Sequence, residues 1–551
     1  MYQDQNNAPR RLSIWLPLLF ALVLVTGILI GMRMQSNAPT VITETPEESM
    51  HALGQGKVEE ILRYIEAKYV DEVDRDALIQ EVIEDMLAKL DPHSNYITAE
   101  QLREVNEQLE GNFDGIGVEF MMLDDTIVVV APLAGGPSEA AGIQAGDKII
   151  QIADSTIAGV NKDSRQVIKM LRGEKGTEVV VGILRVGEKK IRKFTIIRDE
   201  IPMHSVDVAY MLDEKSGYIK VNRFSATTYE EFMKGLEKLV DAGMEDLVID
   251  LRHNPGGYLQ QATNMLSQLF SQKDKLLVYT EGRAVNRSNY ESTGRAFFDI
   301  DDIVVLIDEG SASASEILAG AIQDHDRGVI VGRRSFGKGL VQEQYKLRDG
   351  SALRLTVARY YTPSGRSIQK PYGDDLEAYE SEMAHRFESG ELVEKQKMEV
   401  EDSTQYYTDN GRVVYGGGGI TPDVFVPIDT IVLNDDYLEL RQHVPQFVFR
   451  YMNENGKGLS ELDLPSFVQK YQVDDGLYDK FIAYAKGHGA TVSPNGDSYA
   501  QKEIKRFIKA RIAKHLFEDE GFYSVWNRDD SMIKEALNAL EHSKPLTASQ
   551  K

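Results

Sequence analysis

Between residues 217 and 323 the chain alternates short apolar runs with amphipathic stretches, and that alternation points to an α/β core. Residues 217–224 read as a strand, 229–242 as a helix and 246–251 as a second strand. The loop Asn254-Pro255-Gly256-Gly257 follows, then a helix through Phe270, a strand over 303–307, and a serine-rich turn that enters another helix.

A chain of 551 residues is too long for one core, so three or more folded units are expected. From 111 to about 199 the texture is β-rich and broken by glycines, with strands at 126–130 and 178–184 and a short helix at 164–171. Upstream, Val58, Ile61, Leu62 and Ile65 share one helix face, as do Leu78, Ile79, Val82, Ile83, Met86, Leu87 and Leu90. Both faces are expected to pack into a core, the second helix ending at Asp91-Pro92, where proline disfavours a helical residue before it. Residues 371–414 are acidic and polar and read as an inserted excursion, and 416–419 are four glycines. Beyond 430, helical spacing returns at Ile504, Phe507, Ile508, Ile512 and Leu516.

The amino terminus sets the compartment. Residues 12–32 carry no charge and suffice to span a bilayer at ~1.5 Å per residue. Arg10 and Arg11 precede them, which favours a cytoplasmic tip and an exported remainder. A cleaved signal peptide is the rival, but no A-x-A-like site follows the run and its length exceeds a usual signal core. The absence of cysteine excludes a lipoprotein anchor, disulfides, thiolate nucleophiles and Cys-based metal sites. Residues 35–50 read as a tether. The net charge of −25 argues against nucleic acid as a partner.

Three constellations carry chemistry. Gly115-Ile116-Gly117-Val118-Glu119-Phe120, with Ala141-Gly142-Ile143 and Gly146-Asp147-Lys148-Ile149-Ile150 about 25 residues on, provides a nest of backbone N–H groups for a terminal carboxylate. The strand beside it can accept an extended peptide, and the combination resembles a PDZ domain. The second is the turn 309–316. A serine there can expose its hydroxyl beside a backbone oxyanion donor, yet Ser313 and Glu316 also have the spacing of a helix cap. Spacing alone does not choose among Ser311, Ser313 and Ser315. The third is Lys338, flanked by glycines and apolar residues, where burial would lower its pKa towards that of a general base.

Two decoys accompany these. Residues 332–338 fit the start of a phosphate-binding loop, but Gly339 stands where the magnesium-binding hydroxyl belongs, and an exported domain meets little nucleotide. His253 and His325, with Asp324 or Asp326, could form a histidine triad without motif-grade context.

Together the segments resemble the carboxyl-terminal processing peptidases, the S41-type serine proteases, over residues 55–430. The matching pieces are Leu90-Asp91-Pro92-His93-Ser94, the PDZ stretch, Asp250-Leu251-Arg252-His253-Asn254-Pro255-Gly256-Gly257 and residues 310–316. They continue with Phe336-Gly337-Lys338-Gly339 and Gln342, Tyr361-Thr362-Pro363-Ser364-Gly365, and Gly419-Ile420-Thr421-Pro422-Asp423. The resemblance implies Ser313 as nucleophile, Lys338 as base and Gln342 as its orienter. It also implies an oxyanion hole from the amide of Ala314 and one from Gly256 or Gly257. Peptide carboxyl termini would be captured at Gly115, Ile116, Gly117 and Val118, with Arg172 a candidate for relaying that capture.

The expected fold is α+β and multidomain: a tip and membrane helix (1–34), tether (35–50), helical segment (51–110) and PDZ β-domain (111–200). An α/β protease core of the S41/crotonase-like type (201–430, with the excursion at 371–414) and a C-terminal helical extension (431–551) complete it. The expected function is a serine endopeptidase acting on protein substrates, with no metal or cofactor, in a bacterial inner membrane facing the periplasm or cell exterior. A catalytically silent PDZ scaffold or chaperone is the alternative, and a homo-oligomer or an activating adaptor stays open as a further partner.

Overall fold

The computed structural model describes residues 46–373, 376–398, 402–459, 461–491 and 498–542. The chain divides into two compact units, the first reaching to Val82 and the second running from Ile83. The uncharged run at 12–32 lies outside the described residues, and among these no helix is long and apolar enough to cross a membrane.

In the first unit helix Pro46–Lys68 starts inside the stretch expected to be a tether, and Arg75 of the next helix, Arg75–Ala88, holds Glu59 at 3.0 Å. The expected core packing of the apolar faces is observed only in part. Leu62 and Leu87 are buried, but Val58 and Ile61 are 51% and 52% exposed, and Val82, Met86 and Leu90 also face solvent. Periodicity determines which residues share a helix face; what covers that face depends on the rest of the fold.

The second unit contains the glycine-rich β-domain expected from residue 111. Strands Val118–Leu123, Thr126–Pro132, Lys148–Ile152, Glu178–Leu184 and Arg192–Ile197 form an antiparallel sheet in that spatial order, leaving Val118–Leu123 at an edge. Helix Ser164–Leu171 carries Val167 and Leu171 into a core with Val129, Ile149 and Val181. Strands Asn112–Gly115 and Asp199–Pro202 pair antiparallel and bring the domain's entry and exit together.

The α/β core is built on a six-stranded sheet. Val206–Met211 lies antiparallel to Ser216–Val221, which continues in parallel through Asp246–Asp250, Ile303–Ile307, Val329–Gly332 and Val424–Phe425. Ile303–Ile307 is buried at every position, as a central parallel strand covered on both faces must be. One face carries helices Thr228–Asp241, Leu259–Leu269 and Ala314–Asp324. The other is sealed by Ser531–Glu541, at the end of the expected extension, whose Met532, Ile533, Ala536 and Leu540 pack on Val248, Val304, Leu306 and Val331. Each large apolar side chain so buried contributes about 1.5–3 kcal/mol.

A second sheet joins Asn95–Ile97, Ala352–Tyr361, Lys273–Glu281 and Ser288–Thr293, with Leu340–Lys346 also paired to Ala352–Tyr361. The excursion contributes helix Leu376–Glu388 and the hairpin Gln405–Tyr407 with Val413–Tyr415. Helices Asp435–Asn455, Leu464–Lys470, Asp475–Gly487 and Ser498–Trp526 form a separate core around Val444, Phe467, Phe481, Ile504 and Ile508. The last of these leaves helical geometry at Phe517 and Glu518, so it is two helices in series.

Candidate active site

The structure separates the three serines by what their hydroxyls bind. Ser311 Oγ donates to the Leu251 carbonyl at 2.8 Å and Ser315 Oγ to that of Asn254 at 2.9 Å, both buried. Ser313 is half-buried and lines a cleft of about 930 Å³ with Lys338, Gln342, Gly256 and Tyr360. Its φ of 55° and ψ of −114° are strained for a residue with a Cβ, the backbone state expected of a nucleophile on a strand-to-helix turn.

The cap spacing is also real, but Glu316 does more than cap. Its carboxylate is fully buried and accepts the amides of Ser313 (2.8 Å), Lys338 (2.8 Å) and Gly337 (2.7 Å) and the hydroxyl of Ser335 (2.5 Å). One carboxylate thus fixes the serine turn and the lysine loop to each other. Burial pushes its pKa up to about 7 despite those four donors. Glu316→Gln puts an NH₂ against two of the donors. We expect stability to drop by about 3–6 kcal/mol in denaturant titrations, at ~1.5–3 kcal/mol for each charge-assisted bond, and kcat to fall about 100-fold. A kcat within threefold of wild type would show that the two loops hold their geometry unaided.

Lys338 Nζ donates to Gln342 Oε1 at 3.1 Å, and Gln342 Nε2 donates to the carbonyl of His93 at 2.5 Å. Asp91 shapes that support by accepting the amides of His93 and Ser94, each at 2.8 Å. Burial lowers the Lys338 pKa and the nearby Arg354 lowers it further, against an opposing pull from Glu316 and Asp91. Burial and the lysine's charge also bring His93 down to about 4, and its Nε2 lies 2.7 Å from the Tyr379 hydroxyl. Tyr360 OH sits between the carbonyls of Ser313, at 3.1 Å, and Lys338, sharing its proton with both.

The excursion proves to be part of the site's frame. Its Arg386 donates to the carbonyls of Arg334 (2.7 Å) and Ser335 (3.2 Å), while Glu391 pairs with Arg334 at 2.7 Å, all buried. No motif in an acidic, polar stretch announces such a role, and Tyr360 likewise lacks a local signature.

The glycine loop distinguishes its two candidates. Gly256 N–H donates to Asn254 Oδ1 at 2.9 Å, so it is already engaged. Gly256 has φ +96°, and a Cβ there would stand 2.7 Å from Ser313 Cβ, which is why the loop can approach the serine only as glycine. Ala314 is the first residue of its helix, where the N–H has no partner within the helix.

Neither decoy fits. Residues 332–338 lead into strand Leu340–Lys346 rather than a helix, and the amides of Gly337 and Lys338 are taken by Glu316. His325 binds the Leu276 carbonyl through Nε2 at 2.7 Å and Asp409 through Nδ1 at 2.9 Å, outside the cleft lining. Asp324 and Asp326 are held by Arg366 and Arg412. His253 does line the cleft, its Nδ1 2.9 Å from Asp308. Among the described residues no cluster of three or more His, Asp or Glu is placed to hold a metal ion.

In the PDZ domain, the Ile116 carbonyl accepts Ser138 N (3.0 Å) and Oγ (2.6 Å), and the Gly117 carbonyl accepts Leu133 N at 3.0 Å. Trans peptides are planar, so tying down these carbonyls turns the N–H groups of Gly117 and Val118 to the opposite side. Gly117 has φ +66°, which permits that turn. Arg172 pairs with Glu107 at 2.6 Å and lies 4.4 Å over the Phe113 ring. Glu107 belongs to helix Ala99–Glu110, whose Asn106 meets Gln344 on the strand that carries Gln342.

A strained serine and a half-buried lysine in one cleft, on an α/β sheet joined to a PDZ-like β-domain, define the class of PDZ-bearing serine peptidases. Known proteins agree. The profile of peptidase family S41 matches residues 215–377, that of the PDZ domain 115–197, and that of the activating protease CtpB N-terminal domain 26–101. Residues 437–519 match a family of unknown function. The carboxy-terminal-processing protease of Bartonella bacilliformis is 32% identical over 441 residues, covering 77% of this chain and 96% of that one. The carboxy-terminal processing protease CtpB of Bacillus subtilis is 38% identical over 320 residues, 57% of this chain and 65% of CtpB, so the match spans just under two thirds of that relative. A solved photosystem II D1 C-terminal processing protease is 27% identical, with a TM-score of 0.34, covering 68% of this chain and 89% of its own. The chain belongs to the carboxy-terminal processing serine proteases of family S41.

Proposed function

We propose that this protein is a serine endopeptidase that holds protein substrates by their carboxyl termini in the PDZ domain and cleaves them with Ser313 and Lys338. The observation that carries the reading is the strained Ser313 sharing a cleft with a lysine whose pKa is lowered by burial. Neutral Lys338 takes the Ser313 Oγ proton as that oxygen attacks a peptide carbonyl, while Gln342 keeps the amine aimed. The amides of Ala314 and Gly257 stabilise the oxyanion, since Gly256 already donates to Asn254. Collapse breaks the C–N bond and the leaving amine takes the proton from Lys338. Water, deprotonated by the same lysine, then attacks the ester, and the acyl–oxygen bond breaks as the lysine returns that proton to Ser313 Oγ. The uncharged run at 12–32 after Arg10 and Arg11 supports a single-pass anchor in a bacterial inner membrane, with the catalytic part on the far side.

Capture is tested with Ser313→Ala protein and an apolar tail peptide, as free acid and as amide. The outward amides of Gly117 and Val118 have a partner only in the carboxylate, so amidation is expected to weaken Kd at least tenfold, about 1.4 kcal/mol. Equal affinities would remove the terminal carboxylate from recognition. Tight binding without any cleavage by wild type would favour the scaffold.

A further inference from the structure

The edge strand Val118–Leu123 is where an extended tail would add to the PDZ sheet, and its register shows which residues could receive one. Leu123 pairs with Thr126 across the two-residue turn Asp124–Asp125, and the Leu133 amide reaches the Gly117 carbonyl on the far side of the Val118–Pro132 pair. In an antiparallel ladder this pattern turns the backbone groups of Val118, Phe120 and Met122 outwards. The edge therefore offers three rungs, with Val118 beside the carboxylate loop and Met122 farthest from it.

The Met122 rung is already met by another part of the chain. Gln446, on helix Asp435–Asn455, donates from Nε2 to the Met122 carbonyl at 2.9 Å. Its orientation is set by Tyr484, whose hydroxyl donates to Gln446 Oε1 at 3.2 Å. The same helix sends Arg450 to Asp124 at 2.6 Å, and His488 Nε2 approaches Asp124 at 3.8 Å. On the strand's other exposed carboxylate, Glu119 acts electrostatically on Arg511 and His515. All these basic and amide groups lie within or beside the segment 437–519, the part matched to a family of unknown function. A side-chain amide on an outward carbonyl reproduces the contact that a peptide backbone N–H would make there.

We infer that the C-terminal helical domain closes the upstream end of the PDZ groove, so that a bound tail pairs with Val118 and Phe120 and is turned away from the strand before Met122. The inference rests on carboxyl-terminal capture by this PDZ domain. At ~3.4 Å per residue, an antiparallel tail anchored at Gly117 reaches the Met122 rung about four residues from its end. Sequence preference is then confined to roughly the last four residues, and longer tails gain nothing from the edge. Such a groove selects any protein with a suitable terminus without demanding an extended β-prone segment behind it.

The test compares free-acid tails of four and eight residues sharing the same last four, with β-prone residues upstream. Binding is read by fluorescence anisotropy to Ser313→Ala protein and to the same protein carrying Gln446→Ala and Arg450→Ala. We expect the two lengths to bind the first protein within about twofold, and the longer tail to bind the second at least tenfold more tightly. The closure is overturned if the eight-residue tail already binds the first protein tenfold better than the four-residue one. It is equally overturned if the second protein fails to distinguish the lengths. Should neither length bind either protein, carboxyl-terminal capture itself fails, an outcome distinct from both.

Discussion

Hydrolysis of an unfolded protein substrate is expected to fall by about 10⁴-fold or more in Ser313→Ala, with the fold intact. The magnitude follows from removing the attacking oxygen, since what remains is the help given by backbone donors and binding alone. The substitution keeps the Cβ that packs against Gly256 and the amide that donates to Glu316, so the turn keeps its supports. Stability should stay within about 0.5 kcal/mol of wild type, which separates a chemical loss from an unfolding. His325→Ala is the informative companion. Its ring holds the Leu276 carbonyl and Asp409, outside the cleft, so it should lower the melting temperature while kcat stays within threefold. A silent His325→Ala or His253→Ala beside an active Lys338→Ala would replace the serine–lysine pair with a histidine-based site.

Lys338→Met should be almost as damaging, with kcat down by about 10³–10⁴-fold, because an apolar side chain of similar length fills the pocket without accepting a proton. The sharper comparison is Lys338→Arg. A guanidinium does not give up its proton in proteins, so an arginine keeps the positive charge but cannot serve as base. If the lysine only supplied charge, arginine would restore activity; as a base it is irreplaceable, and Lys338→Arg should stay inactive at every pH. The wild-type profile carries the same signature. Burial lowers the Lys338 pKa below the ordinary value near 10.5, and activity needs the neutral amine, so it rises with pH through that lowered pKa and declines on acidification. Glu316 steepens the acid limb, because protonation near 7 puts a proton against one of its four donors. Turnover in Lys338→Arg above a tenth of wild type would exclude the lysine as base.

Much of the fold was legible because local pattern and tertiary environment agree. The runs at 164–171 and 303–307 are the helix Ser164–Leu171 and the strand Ile303–Ile307, where apolar spacing alone defines the element. The helices carrying Val58, Ile61, Val82 and Met86 were legible as helices, yet those four side chains are exposed, because spacing says nothing about what lies opposite. The acidic stretch from 371 looked like a detour. Its Arg386 and Glu391 are buried against the lysine loop, and a charged residue's burial depends on partners distant in sequence.

What the sequence determined by itself is the set of reactive groups and their turns: a serine followed three residues later by glutamate, a lysine between glycines, and a glycine–apolar nest before an edge strand. Those are local facts, written in neighbouring residues. The tertiary structure decided which serine faces the cleft, that the capping glutamate is shared between serine and lysine loops, and which glycine amide is already spent on Asn254. It also decided that Gln446 stands at the PDZ edge, more than 300 residues from the carbonyl it meets. The physical reason is the same in each case. A hydrogen bond assigns a donor to an acceptor only when the chain has brought the two within about 3 Å, and composition cannot show which pairs those are.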